Sequence, residues 1–421
     1  MPCYTNVIAM IRNLFFLSLV LASGLVKGQD TIAYAVAPAY DFIKSEENEI
    51  HNSVSLAPFF EKLYQLKKTK NSTVNILQIG DSHIQADFLS NTTRRLIQLE
   101  FGNAGRGLVF PGRVGRTNES PTIYSSSSAN WDTKRIIYTN QPLPIGIGAM
   151  TLQTKQAGAS LLLKTKSSDG ISYAFNKVTF LFQKDFNSYN LVVKDSLGEY
   201  LAYVGPYTFE TTNTSRILLP FATNQIEFQT LQSTPSQNQF VLFGINLENS
   251  RSGVIYHATG GNGAKVKHYL EAVYFAEQSK ELSPDVIIIS LGTNEAIEYP
   301  YVDATFKDQL NTFVSVLKRE NPNAQLLFTT PPDFYKKKTR RNPGVEVIRD
   351  KIIEYALENN LAYWDLYTSG GGKHSADLWK KNGLLQNDGI HFTKAGYELQ
   401  GSLLYEALVK GFNEYVLYRY P

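Results

Sequence analysis

The sequence predicts an α/β fold: a three-layer α/β/α domain on a parallel sheet, interrupted by an inserted all-β sandwich. Three observations carry this expectation. Apolar runs of strand length, at 74–79 and 285–292, lead straight into segments with helical spacing. The alternation recurs from residue 254 to about 410, as parallel strands joined by helices require. Between 124 and 249 it stops, and short runs rich in Val, Phe, Leu, Tyr and Thr alternate with turn residues.

The chain accordingly divides into 1–28, 29–123, 124–249 and 250–421. Residues 1–28 read as a secretory signal, with Arg12, an apolar stretch from Leu14 to Val20, and the small residues Ala22, Ser23 and Gly24. The stretch is too short for a membrane span. Its removal takes away Cys3, the only cysteine, and with it any disulfide. Residues 29–50 form a lead-in without periodicity. Leu56, Phe59, Phe60, Leu63 and Leu66 then mark a helix over about 55–68. Val74–Ile79 is the first buried strand, Gly80 and Asp81 break it, and a helix runs on from Ser82 with Phe88, Thr92, Leu96 and Leu99 on one face. The Gly- and Pro-rich stretch 102–116 reads as a loop.

Within 124–249 the strand candidates are 159–165, 177–183, 190–195, 225–231 and 239–247. The α/β pattern resumes with a strand at 253–260, a helix over 264–280 and a near-continuous apolar strand at 285–292. Phe306, Leu310, Phe313, Val314 and Leu317 mark a helix. A strand at 324–330, a helix at 345–359, a strand at 361–367 and a helix over 394–410 complete the order.

Composition sets outer bounds. A chain of 421 residues can bury a large core and suits two domains. Hydrophobic content of 43% with 19% charged residues describes an ordinary soluble protein. A net charge of +3 is too small to argue for a nucleic-acid partner. The 25 tyrosines and 24 phenylalanines suit sugar-stacking surfaces and β-rich cores alike. No metal-binding motif and no phosphate-binding Gly-rich loop is present, so neither metal nor cofactor is expected.

Ser82 stands where a strand gives way to a helix, the place at which ligands bind in open α/β sheets. A serine there is either an N-cap or a nucleophile, and a nucleophile needs a base and an oxyanion site. Asp388 and His391, three apart before the last helix, have the spacing of a carboxylate–imidazole relay that could reach Ser82. His51, His257, His268 and His374 lack such a context. Lys336, Lys337, Lys338, Arg340 and Arg341 form a basic cluster, read as a solvated loop with an anionic polymer as the alternative contact.

Four blocks, GDSH at 80–83, GGNGA at 260–264, GTNE at 292–295 and DGIH at 388–391, resemble those of the SGNH (GDSL-type) hydrolases in the same order. The run GDSHIQADF is most similar to bacterial peptidoglycan O-acetylesterases, whose His83 equivalent is leucine in many other relatives. The resemblance implies a three-layer hydrolase domain with Ser82, Asp388 and His391 as catalytic residues. It also implies an oxyanion hole of the Ser82 N–H, the Gly263 N–H and the Asn294 side chain. Gly260 and Gly261 are adjacent candidates; Gly263 could instead serve a tight turn, and Asn294 could cap a helix. His83 takes no catalytic role in this reading, and Asp81 orders the turn.

The resemblance further implies an exported, periplasmic or secreted esterase that removes O-acetyl groups from peptidoglycan, with no membrane span in the mature chain. The insert corresponds in position and texture to a carbohydrate-binding-module-like sandwich, with a purely structural role as the alternative. Acetylated xylan or a sialylated glycan are rival substrates. A catalytically inert glycan-binding surface protein is the rival from outside the enzymes.

Overall fold

The computed structural model describes residues 30–34, 37–38, 40–206, 213–302 and 304–420. The signal-like segment 1–28 lies outside them. Five parallel strands, Thr73–Gly80, Gly253–Gly260, Val286–Ser290, Gln325–Thr329 and Ala362–Trp364, form the central sheet, with Ile50–His51 antiparallel at one edge. Across the sheet the order is 50–51, 362–364, 325–329, 286–290, 73–80, 253–260.

Strand alternation creates the three layers. Val74, Ile76, Val286 and Ile288 enter one core, while Leu77, Ile79, Ile287 and Ile289 enter the other. Each fully buried side chain of this size stabilises the fold by ~1.5–3 kcal/mol. The first core is completed by helices Ala57–Thr69, Phe88–Phe101 and Lys394–Arg419, the second by Phe306–Glu320 and Gly344–Glu358. Among the described residues no helix is long and apolar enough to cross a membrane.

The β-rich part forms two antiparallel sheets around a third core that includes Phe180, Phe182, Phe228 and Phe240. One has five strands, in the order 200–204, 190–194, 225–231, 160–165, 123–126. The other runs 214–223, 175–182, 240–248, 150–154, 132–135, and Gly105–Val109 pairs with its strand Phe240–Glu248. That last pairing corrects the expected loop over 102–116. Glycines hide the strand from a periodicity reading, yet glycine is what fits: a Cβ on Gly107, at φ +78, would stand 3.0 Å from the Tyr256 carbonyl oxygen.

Other departures have equally local causes. The helix from Ser82 breaks at Asp87, whose φ of 58 is left-handed, giving Ser82–Gln85 and Phe88–Phe101. Leu99, read on one face with Phe88, Thr92 and Leu96, is exposed. Helix Phe88–Phe101 packs between the sheet and the C-terminal helix, and it buries Arg94 and Gln98 because both find hydrogen-bond partners there. The strand expected at 361–367 ends at Trp364, because Asp365 caps a short helix, Leu366–Ser369, by accepting from the Thr368 N–H. The helix expected over 264–280 is two pieces, Val266–Leu270 and Phe275–Ser279, followed by a 3-10 turn, Lys280–Leu282.

Candidate active site

Three strands of the sheet end at one level. Gly80 pairs with Gly260 on one side and with Ser290 on the other. The loops that follow, carrying Ser82, Gly263 and Asn294, therefore emerge together at the C-terminal edge. A cleft of about 700 Å³ opens there, and its lining includes Ser82, Asn262, Gly263, Asn294 and His391.

Asp81, not Ser82, is the N-cap: its Oδ1 accepts from the His83 N–H at 2.9 Å. Ser82 is thereby the first residue of its helix, and its N–H is one of those with no partner inside the helix. Gly80 permits the tight turn, since a Cβ there would stand 2.9 Å from Ile84 Cβ and 3.0 Å from the Ser290 carbonyl oxygen.

His391 arrives on the loop before the C-terminal helix. Its Nε2 lies 2.9 Å from Ser82 Oγ, and its Nδ1 lies 2.7 Å from Asp388 Oδ2. In the tautomer with the proton on Nδ1, the imidazole donates to Asp388 and Nε2 accepts from the Ser82 hydroxyl. Asp388 Oδ1 accepts from the backbone N–H groups of Ile390 and His391, each at 2.9 Å. Partial burial pushes the Asp388 carboxyl up. The hydrogen bond from His391 and the two backbone donors outweigh this, so its pKa lies below the ordinary value.

Asn294 does not cap its helix, Thr293–Ile297, whose N-cap is Gly292. Its Nδ2 donates one hydrogen to the Ala264 carbonyl at 2.9 Å, leaving the amide a second one. Gly263 has φ 76, the left-handed region that favours glycine, and unlike Gly260 and Gly261 it lines the cleft. The turn reading of Gly263 and its place in the site are thus compatible.

Further residues surround the site, and apart from His83 the sequence did not single them out. Glu295 Oε1 accepts from the Val266 N–H at 2.8 Å, so the GTNE block holds the Gly263 loop at two points. Burial, reinforced by nearby Asp81, raises the Glu295 pKa to about 7 against the pull of backbone donors and Lys265. His83 is buried with its ring 5.6 Å from that of His391, and Tyr397 Oη lies 3.0 Å from its Nδ1. Burial lowers the His83 pKa, and the neighbouring His391 adds to this against the opposing pull of Asp81 and Asp388. Asn118 and Glu119, from the connection into the β-sandwich, complete one wall of the cleft. Tyr397 and these two had no motif to mark them. Glu295 lay inside a recognised block.

A parallel sheet with a Ser–His–Asp chain at its C-terminal edge defines a hydrolase of the nucleophilic-serine class. Residues 238–399 match the GDSL-like Lipase/Acylhydrolase family. The match includes Gly263, Asn294, Asp388 and His391; Ser82 lies before it, on the far side of the β-rich segment. Among solved structures, a peptidoglycan O-acetylesterase is similar at 22% identity and a TM-score of 0.72, covering 87% of this chain and 99% of its own. That likeness extends the shared fold over both the α/β and the β-rich parts. A GDSL-like lipase from Parabacteroides merdae is similar at 18% identity, covering 38% of this chain and 74% of its own, with a TM-score of 0.30. A family two carbohydrate esterase from Cellvibrio japonicus is similar at 12% identity, covering 70% of this chain and 99% of its own, with a TM-score of 0.29. No curated protein matches the chain.

Proposed function

We propose that the protein is an exported serine esterase that removes O-acetyl groups from peptidoglycan. The observation that carries this reading is the hydrogen-bonded chain from Ser82 through His391 to Asp388, opening on a cleft beside Gly263 and Asn294. Ser82 Oγ attacks the acetyl carbonyl while His391 Nε2 takes its proton. Asp388 holds the Nδ1–H and stabilises the imidazolium that forms. The N–H groups of Ser82 and Gly263 and the free amide hydrogen of Asn294 serve the tetrahedral oxyanion. Collapse releases the sugar hydroxyl, protonated by His391, and leaves acetyl-Ser82. Water activated by the same imidazole then frees acetate.

Export is supported by the signal-like residues 1–28, and the glycan by the GDSHIQADF run and the fold shared with a peptidoglycan O-acetylesterase. Residues 124–249 then form the inserted domain between the two halves of the hydrolase. Acetate release from O-acetylated peptidoglycan, measured beside acetylated xylan, tests the substrate. The reading expects peptidoglycan to be cleaved with the higher kcat/KM. Preference for xylan would reassign the glycan, and octanoyl esters cleaved faster than acetyl esters would make it a lipase.

A further inference from the structure

The basic cluster after strand Gln325–Thr329 is not an open loop. Tyr335–Lys336 and Arg340–Arg341 pair as a two-stranded hairpin, with Lys337, Lys338 and Thr339 at its tip. Two of its cations have internal work: the Lys336 ammonium donates to the Tyr299 carbonyl, and Arg341 pairs with Glu346. Lys337, Lys338 and Arg340 are exposed, and among the described residues none of the three has an ion pair within 4 Å. The acids around the hairpin are engaged. Asp377 accepts from the Tyr335 hydroxyl, Glu346 from Arg341 and Tyr367, Asp333 from the Ala376 N–H, and Asp388 from His391. The Lys380 ammonium, 5.5 Å from the centre of the Tyr335 ring, adds a further positive charge beside the hairpin.

Two more features single out this element. Lys337 and Lys338 have φ of 53 and 71, the left-handed region where glycine or asparagine is at ease and lysine is strained. Such strain collects at functional sites. The hairpin is also fastened to the catalytic loop: the Tyr335 N–H donates to the Gly389 carbonyl at 2.7 Å. A Cβ on Gly389, itself at φ +76, would stand 2.9 Å from the Lys338 carbonyl oxygen. Gly389 directly follows Asp388 and lies two residues before His391. The hairpin thus packs against the loop that carries Asp388 and His391.

We infer that this hairpin docks carboxylate groups of the substrate polymer, so that the enzyme selects acidic acetylated glycans over neutral ones. The inference rests on the esterase reading above and adds to it the charge of the substrate. Exposed cations attract a polyanion over a Debye length of ~8 Å at physiological salt, so the effect is ionic-strength dependent.

The test compares wild type with a Lys337→Glu/Lys338→Glu/Arg340→Glu variant on O-acetylated peptidoglycan and on para-nitrophenyl acetate, at about 20 mM and about 300 mM salt. The expected result is a fall of ~10-fold or more in kcat/KM on peptidoglycan at low salt, shrinking at high salt, with the small neutral ester cleaved as before. Arginine at positions 337 and 338 should retain wild-type behaviour. The same three changes in a Ser82→Ala background should weaken cosedimentation with insoluble peptidoglycan, which reads docking without turnover. Equal losses on polymer and small ester would reduce the hairpin to a prop for the loop. Unchanged turnover and cosedimentation would make it a solvated turn; either result overturns the inference. Failure of wild type to cleave para-nitrophenyl acetate would instead count against the esterase reading, while cosedimentation still decides the hairpin.

Discussion

Asp388 and Asp87 each anchor a charged constellation, and the two are built to opposite ends. Asp388 sits at the cleft with a side chain 42% exposed, beside a His391 side chain 36% exposed. Asp87 is buried where helix Phe88–Phe101 meets the strand Gly105–Val109. It accepts from Arg94 at 2.8 and 3.1 Å, from Ser120 at 2.6 Å, from Ser90 at 2.5 Å, and from Arg106. Burial alone would raise its pKa, but the two guanidiniums hold it far below the ordinary carboxylate range. One aspartate faces a group whose proton can move. The other is locked between permanent cations, where none can. The first geometry suits catalysis; the second ties the α/β layers to the β-rich part.

The contrast can be broken by substitution. Ser82→Ala and His391→Ala should each lower kcat by on the order of 10⁴ or more, and the double variant should be scarcely worse, because members of a relay act as a unit. Their melting temperatures should stay near wild type. Asp87→Ala should do the reverse, costing ~3–5 kcal/mol of stability by leaving two buried arginines without their carboxylate. Denaturant unfolding measures that loss, and a change below 1 kcal/mol, about the worth of an exposed ion pair, would contradict the lock.

Asn294→Ala should come next. Loss of one oxyanion donor is expected to lower kcat on the order of 10²–10³, about 2.7–4 kcal/mol, with KM little changed. A stable variant with wild-type turnover would remove Asn294 from the mechanism.

At neutral pH the smallest effect belongs to His257, whose Nδ1 accepts from the Leu108 N–H at 3.1 Å at the junction of the two parts. Burial, with repulsion from Arg94 and Arg106, pushes its pKa down to about 3. In the unfolded chain an imidazole takes up a proton near pH ~6.5. The unfolded state therefore binds more protons as pH falls from about 6.5 to about 3, and stability drops across that window. Its slope is at most ~1.4 kcal/mol per pH unit from this group. His257→Gln should flatten the decline, measured by unfolding at a series of pH values; an unchanged slope would contradict it.

The two constellations also differ in how far they could be read beforehand. Ser82, Gly263, Asn294, Asp388 and His391 lie in four short blocks, two of them directly after apolar runs, and the resemblance of those blocks to a known hydrolase family marked the residues. Asp87, Arg94 and Arg106 are ordinary polar residues on a helix and in a Gly-rich stretch. Nothing local distinguishes them from solvent-facing ones, because their partners are set by tertiary packing. The long parallel strands were legible because each is buried on both faces and so nearly continuous in apolar residues. Gly105–Val109 was not, since close backbone approach replaces side-chain pattern there. The hairpin at Tyr335–Arg341 escaped because its strands are two residues each and charged.

The central claim is that Ser82 is the nucleophile of an acetylesterase. Acetate released from O-acetylated peptidoglycan, compared between wild type and a Ser82→Ala protein of equal melting temperature, tests it most directly. The account predicts steady release by wild type and release at the enzyme-free level by the variant. Equal release by both would contradict it.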